Sequence, residues 1–269
     1  DGPLGLALPV LALLGDQQAA LVGQACFAPG DAKCTFGTGA FLLANVGDER
    51  PAGAHGLLAG IAYQGSVGAP VRCLEGAMAA AGSAVSWLSD SLGLLPDAAA
   101  SAAEAATVDT SGGVRVVPAF QGLYAPWWDP GARGAILGLT LHSTRAHVVR
   151  ATLESLAYAT RAVVEAAEAE AAIRISQLRV DGGATRNAVL VQSLADVLGR
   201  PVVRAVDEEA TVRGAAFAAG LAAGVWGSLA DVAALVGLHD PVEPVWSADR
   251  REQEYASWLR AVEQARAFG

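Results

Sequence analysis

The stretch Leu14-Gly15-Asp16-Gln17-Gln18-Ala19-Ala20-Leu21, followed by Cys34-Thr35-Phe36-Gly37-Thr38-Gly39-Ala40-Phe41, decides how this chain is read. Asp16 stands just after a glycine at the end of the apolar run Val10-Leu11-Ala12-Leu13-Leu14, where a strand leaving a sheet presents a side chain to a crevice. That is a seat for a general base. In the second piece two glycines flank a hydroxyl, so the backbone can approach a phosphate and the N–H groups and Thr38 can donate to its oxygens. Base and phosphate cradle together point to phosphoryl transfer onto an alcohol. Each piece alone also has an ordinary reading: Asp16 as a helix cap, Gly37-Thr38-Gly39 as a hairpin turn.

Composition bounds the answer. The 269 residues are 53% hydrophobic, enough for a full core of one large or two modest domains. No apolar run reaches the roughly 18 residues that would span a bilayer. The net charge is −9, and the basic residues are 17 Arg and a single Lys, Lys33. An acidic protein without a basic face is a poor partner for nucleic acid. Cys26, Cys34 and Cys73 are odd in number and lack CxxC spacing, which argues against a disulfide framework or a zinc site and for buried thiols in a reducing cytoplasm. The N-terminus has neither a basic leader nor a Met, and reads as a cut into a longer chain.

Along the chain, strand and helix signals alternate as a helix-covered sheet requires. Strands are expected over residues 1–14, 32–38, 39–46, 56–64, 114–120, 175–180 and 201–206. Helices are expected over 17–26, from near Gly76 to Leu94, from Ser143 or Thr144 through Ala167, over 187–198 and over 211–223. The segment 97–113 reads as a surface helix with loops. The strand ending at Val180 runs into Asp181-Gly182-Gly183 and then a helix, an arrangement that suits a phosphate. Trp127 and Trp128 read as packing residues, His142 and His147 as residues of a helix start, and no histidine is given a chemical role.

These motifs resemble the glycerol kinases of the FGGY carbohydrate kinase family. Gly-Asp-Gln-Gln-Ala-Ala-Leu has the form of that family's catalytic segment. Leu74-Glu75-Gly76, Ala81-Gly82-Ser83-Ala84 and Trp87-Leu88 are similar to its LEG…GA…WL segment, and residues 118–130 resemble its PAFSGLYAPYWDP stretch. Gly134-Ala135-Ile136-Leu137-Gly138-Leu139, with His147-Val148 and Ala151-Thr152-Leu153-Glu154, fits its second signature. Matches of this length and order are more specific than any one short motif.

The resemblance implies an α/β fold: a ribonuclease-H-like lobe of the actin and hexokinase superfamily, a mixed sheet with helices on both faces. It implies that residues 1–24 are the last strand and catalytic segment of a first lobe. Residues 25–269 would be the C-terminal nucleotide-binding lobe, the N-terminal lobe lying outside this sequence. Asp16 would be the catalytic base; Gln17 would help hold glycerol and Phe41 would pack on its carbons. Thr38, Gly82, Ser86, Gly183 and Asn187 would contact the nucleotide. ATP and Mg2+ would be used, with the metal ligands mainly in the missing lobe. No metal-ligating residue is assigned within this chain.

Two departures stand out. Ser86 replaces the family's usual Gln, and Arg213 replaces a usual Leu. The function implied is ATP-dependent phosphorylation of glycerol to sn-glycerol 3-phosphate by a chain inactive alone. Two alternatives stay open: another FGGY polyol or sugar kinase, or a non-catalytic nucleotide-binding half-protein. Small molecules are the expected partners, and an inner face left bare invites self-association into a homo-oligomer.

Overall fold

The alternation of side chains along a strand sorts the central sheet into two unlike faces. The computed structural model describes residues 9–65, 68–207 and 209–268, together with Gly5. After an irregular stretch over 9–14 comes helix α1 (Asp16–Gly23), then β1 (Ala32–Phe36), β2 (Ala40–Gly47), β3 (Leu58–Tyr63), β4 (Val71–Met78) and α2 (Gly82–Asp90). A short helix α3 (Ser101–Ala105) precedes β5 (Arg115–Val117) and β6 (Ala135–Leu137). The long α4 (Arg145–Ala171) leads to β7 (Leu178–Asp181), α5 (Ala188–Leu198), β8 (Val202–Arg204), α6 (Ala210–Ala222), α7 (Leu229–Ala233) and α8 (Ala248–Phe268).

Six strands form one mixed sheet in the order β3-β4-β2-β1-β7-β8, antiparallel from β3 to β1 and parallel from β1 to β8. Strands β5 and β6 pair as a separate antiparallel ribbon. Ala32, Cys34 and Phe36 of β1 point into the main core with Leu42, Leu74 and Val180, and α4 closes that core with Val149, Leu153, Leu156 and Val163. Lys33 and Thr35 alternate to the other face, which α1 covers. A smaller cluster of Leu21, Cys26, Leu43, Ala62 and Cys73 packs on that side. The sheet therefore carries helices on both faces, as expected.

Helix α4 begins with a capping box in which Thr144 accepts from the His147 backbone and the His147 ring accepts from the Thr144 N–H at 3.1 Å. Helix α8, which no periodic signal had marked, is held by a stack of Tyr158, Tyr255 and Trp258. Its hydrophilic sequence hid it, because only Tyr255, Trp258, Ala261, Val262 and Ala265 are buried along 21 residues.

Two expectations require correction. Of the strand placed over 1–14, residues 1–4 and 6–8 lie outside the described residues, and 9–14 form no strand. Val10 and Leu13 are 85% and 92% exposed, and an apolar run becomes a strand only where a neighbouring strand takes its backbone hydrogen bonds. The helix placed from Gly76 is wrong at its start. Residues up to Met78 complete β4, which pairs with both β2 and β3. Gly76 lies under Val163, where a Cβ would overlap the valine side chain. That glycine serves the close approach of α4 and does not open a helix. Smaller differences are shortened ends, such as β5 covering only Arg115–Val117 of the strand expected over 114–120.

Candidate active site

Five of the predicted residues come together around one cavity of about 700 Å³, lined by Thr38, Gly82, Ser86, Gly183 and Asn187. Its other walls include Phe36, Ser83, Ser101, Leu153, Arg186 and Leu190. Apolar walls with a few convergent polar groups are what a small-molecule site requires.

The turn from β1 to β2 is tied to the N-terminus of α2. The Gly82 N–H donates to Gly37 O at 2.9 Å, and Thr38 O accepts from the Ala81 N–H at 2.9 Å and the Ser83 hydroxyl at 2.9 Å. These bonds commit the Thr38 carbonyl and leave its side chain at an exposed position on the turn.

On the opposite wall, β7 ends at Asp181 and the chain turns sharply. Gly182 has φ +89°, and a Cβ there would overlap the Phe36 backbone, so no other residue fits without strain. At Gly183 the situation is reversed: no protein atom lies within 4 Å of where a Cβ would sit. Backbone faces open space there, as an approaching ligand needs. Asn187 caps α5, its side-chain oxygen accepting from Val189 N at 3.0 Å and Leu190 N at 3.2 Å, while its amide donates to Ser101 Oγ at 3.0 Å. The side chain thus fixes the cavity wall first, and Ser86 stands half-buried across from it.

The remaining three predicted residues gather on the other face of the sheet. Asp16 opens α1, where the partial positive charge of a helix N-terminus favours a carboxylate. Its Oδ1 accepts from the Gln17 N–H at 2.8 Å and its Oδ2 from Gln17 Nε2 at 3.3 Å. Gln17 Oε1 accepts from the buried Lys33 Nζ. The same ammonium donates to Thr35 Oγ1 at 3.0 Å and to Phe41 O at 3.4 Å, so Gln17 and the Phe41 backbone meet at one lysine, and Asp16 is linked to it through Gln17.

Sequence reasoning used Lys33 only as a count. The signal that could have singled it out is a lone Lys in a chain of 17 Arg, set on a strand two residues before the Thr that precedes Phe36. Burial lowers the Lys33 pKa, and the charges of Asp181 and others pull it back. Burial raises Asp181, with the Thr35 hydroxyl and Lys33 charge opposing, and raises Glu75, with Lys33 opposing and Asp16 adding to the rise. Cys26 and Cys73 are pushed up to about 12 by burial, which keeps both thiols protonated and inert.

Arg213, the departure on α6, points at α1. Its Nε donates to Gly23 O at 2.8 Å, and its Nη1 pairs with Asp207 at 3.1 Å. Among the described residues no three His, Cys, Asp or Glu side chains stand together as a metal site, and no helix is long and apolar enough to cross a membrane.

Comparison with known proteins gives the chain its relatives. The chain is 48% identical over 262 residues to glycerol kinase 1 of Streptomyces coelicolor, covering 97% of this chain and 52% of that protein. It is 51% identical over 266 residues to a glycerol kinase of Symbiobacterium thermophilum, covering 98% and 53%. The crystal structure of Plasmodium falciparum glycerol kinase with ADP superposes with a TM-score of 0.89 at 36% identity, over 94% of this chain and 50% of that one. A xylulose kinase from Rhodospirillum rubrum follows the same course at 28% identity, with a TM-score of 0.79, over 95% and 51%. The chain thus spans about half the length of these relatives. Residues 32–223 match the C-terminal domain of the FGGY family of carbohydrate kinases, and the chain belongs to that family.

Proposed function

We propose that this chain is the nucleotide-binding half of an ATP-dependent glycerol kinase that also supplies the catalytic base. The observation that carries the reading is the placement of the eight predicted residues: five line one cavity, while across β1 Gln17 and the Phe41 carbonyl meet at Lys33 and Asp16 bonds to Gln17. Adenine nucleotide would lie in the cavity, its phosphates over the Gly183 backbone and the Thr38 side chain, with Gly82 and Ser86 along it. Asn187 would act at the adenosine end by holding the α5 N-terminus and Ser101 in place. The glycerol hydroxyl would attack the terminal phosphorus while its proton passes to the Asp16 carboxylate; the new O–P bond forms as the bond to ADP breaks. Gln17 and the Phe41 ring would position the polyol.

Magnesium belongs to this reading as the ion that screens the phosphates, and no group of three His, Cys, Asp or Glu side chains stands together among the described residues. No step is assigned to a metal held by this chain. The carboxylates that would hold it, most of the glycerol contacts and the first lobe are assigned to the half of the relatives that this chain does not span, with the boundary near residue 24. A cytoplasmic setting accords with three buried free thiols. The closeness to proteins named glycerol kinase, against 28% identity to a xylulose kinase, favours glycerol over a sugar.

The test is a coupled assay of a full-length protein carrying this segment, with ATP, magnesium and either glycerol or xylulose. ADP release that depends on glycerol supports the reading. Release that depends on xylulose alone assigns the site to a sugar kinase, and no release with either leaves the non-catalytic half-protein.

A further inference from the structure

Lys33 is buried, with 0% of its surface exposed, and its three partners are a carboxamide, a hydroxyl and a carbonyl. An ammonium taken out of water among neutral partners is costly, so its place next to a catalytic segment asks for a reason beyond packing. The titratable groups that act on it are, first, Asp181 on β7, then the buried thiols of Cys34 on its own strand and Cys26 after α1, and Glu75 on β4. Arg179 stands opposite it on β7, Arg213 on α6 acts on the neighbouring Asp181, and Asp16 on α1 shares Glu75 with it.

The direction of each hydrogen bond matters. A lysine ammonium only donates, so its partner on Gln17 has to be the carbonyl oxygen. With Oε1 held there, the Gln17 amide N–H is turned toward Asp16 Oδ2. A flipped amide would present an oxygen to that carboxylate instead of a donor, so the lysine decides which end of Gln17 meets Asp16. Thr35, the second partner, pairs across β1 and β7 with Asp181, the residue that delivers Gly182 and Gly183 to the cavity. One ammonium therefore fastens the base segment to the strand framework of the nucleotide cradle.

We propose that Lys33 is a positioning residue for phosphoryl transfer: by taking the Gln17 oxygen it fixes the carboxamide, and through it the orientation of the Asp16 carboxylate. This rests on Asp16 being the base.

The test uses a full-length protein carrying this segment. Lys33→Met keeps most of the buried volume and removes the donor. The kcat should fall on the order of 10-fold with the KM for ATP changed less than about twofold. Gln17→Leu, which leaves the lysine in place, should lower kcat by a similar factor, and adding Lys33→Met to it should produce no further fall. An unchanged kcat in folded Lys33→Met, or losses that multiply in the double variant, overturns the proposal.

A readout independent of turnover separates this claim from the one it rests on. In 15N-labelled protein, Lys33→Met should displace the Gln17 side-chain amide resonances. Unmoved resonances in a folded variant overturn the role of Lys33 whatever the base is, whereas wild-type turnover in Asp16→Asn overturns the base.

Discussion

Gly23 on α1 and Gly214 on α6 stand back to back where the two helices cross. A Cβ on Gly23 would overlap the Ala210 carbonyl, and one on Gly214 would overlap the Ala19 carbonyl. Neither helix can move away cheaply, because Arg213 reaches from α6 to Gly23 O at 2.8 Å, placing a cation at the C-terminal end of α1. The helix that presents Asp16 is thus fixed at its far end by α6 and at its first turn by Lys33 through Gln17.

This crossing gives the first prediction. Gly214→Val forces the backbones apart and should destabilise the fold by about 1–3 kcal/mol, the usual cost of overfilling a packed contact. Urea unfolding followed by circular dichroism should show a lower midpoint with an unchanged slope. A midpoint equal to that of the parent chain would mean that α1 and α6 do not pack as described.

The second prediction concerns the cradle. Because a Cβ at Gly183 meets no protein atom within 4 Å, Gly183→Val should leave the fold intact and place its side chain where the phosphates are proposed to sit. Titration calorimetry with ADP should show at least about a tenfold weaker affinity, 1.4 kcal/mol. Equal affinity in a folded variant would remove Gly183 from the nucleotide site.

Some of this was legible in the sequence because the signal was local. The turn at 37–39, the glycines after Asp181 and the Gly199 stop of α5 each follow from residues within a few positions of one another. Other features depend on partners far along the chain. β4 was hidden because Gly76 reads as the start of a helix until α4 is seen to lie on it at Val163. The apolar run before Asp16 reads as a strand, yet pairing is decided by a neighbour and not by the run itself. Lys33 escaped notice for the same reason: a strand lysine normally faces water, and only the packing of α1 over β1 buries it. The direction of Arg213 likewise could not be read before α6 was seen to cross α1.

The third prediction is a pH dependence outside the site. Glu170, near the end of α4, accepts from the Ala54 and His55 N–H groups at 2.8 and 2.9 Å, from the Gly53 N–H, and pairs with the His55 ring at 2.8 Å. The His55 hydrogen bond first, then the three backbone donors, hold its pKa down at about 2, below the ordinary value of 4.5. A depressed carboxylate stabilises the fold fully above its unfolded pKa and loses that contribution as pH falls through the folded one. The melting temperature of the parent chain should therefore exceed that of Glu170→Gln at pH 6, with the gap closing between about pH 4.5 and 2. A gap that stays constant over that range would show that the charge of Glu170 does not hold the loop.

The fourth prediction concerns the chain by itself. Phosphoryl transfer needs nucleotide, metal and acceptor aligned at once, and this chain is proposed to bring the base and the nucleotide cavity while spanning about half of its relatives. The purified 269-residue chain should form no measurable glycerol 3-phosphate and should bind adenine nucleotide weakly. Sustained glycerol-dependent ADP release from this chain would overturn the division of labour proposed for the two halves.

The last prediction isolates the base. In a full-length protein carrying the segment, Asp16→Asn keeps the size of the side chain and its place at the α1 N-terminus. Its amide can still accept from the Gln17 N–H through the carbonyl oxygen, so α1 should stay where it is. What it cannot do is take up a proton from the attacking hydroxyl at the moment the O–P bond forms. A general base of this kind contributes roughly 100- to 10,000-fold, so kcat should drop by about that factor while the affinity for ADP, set on the other side of β1, stays within about twofold. The two readings part on that pair of numbers. A fall in kcat with intact ADP binding assigns the proton transfer to Asp16. Wild-type turnover removes Asp16 from the chemistry, and a joint loss of turnover and ADP binding means that α1 acts on the cavity as a structural support and not as the seat of the base.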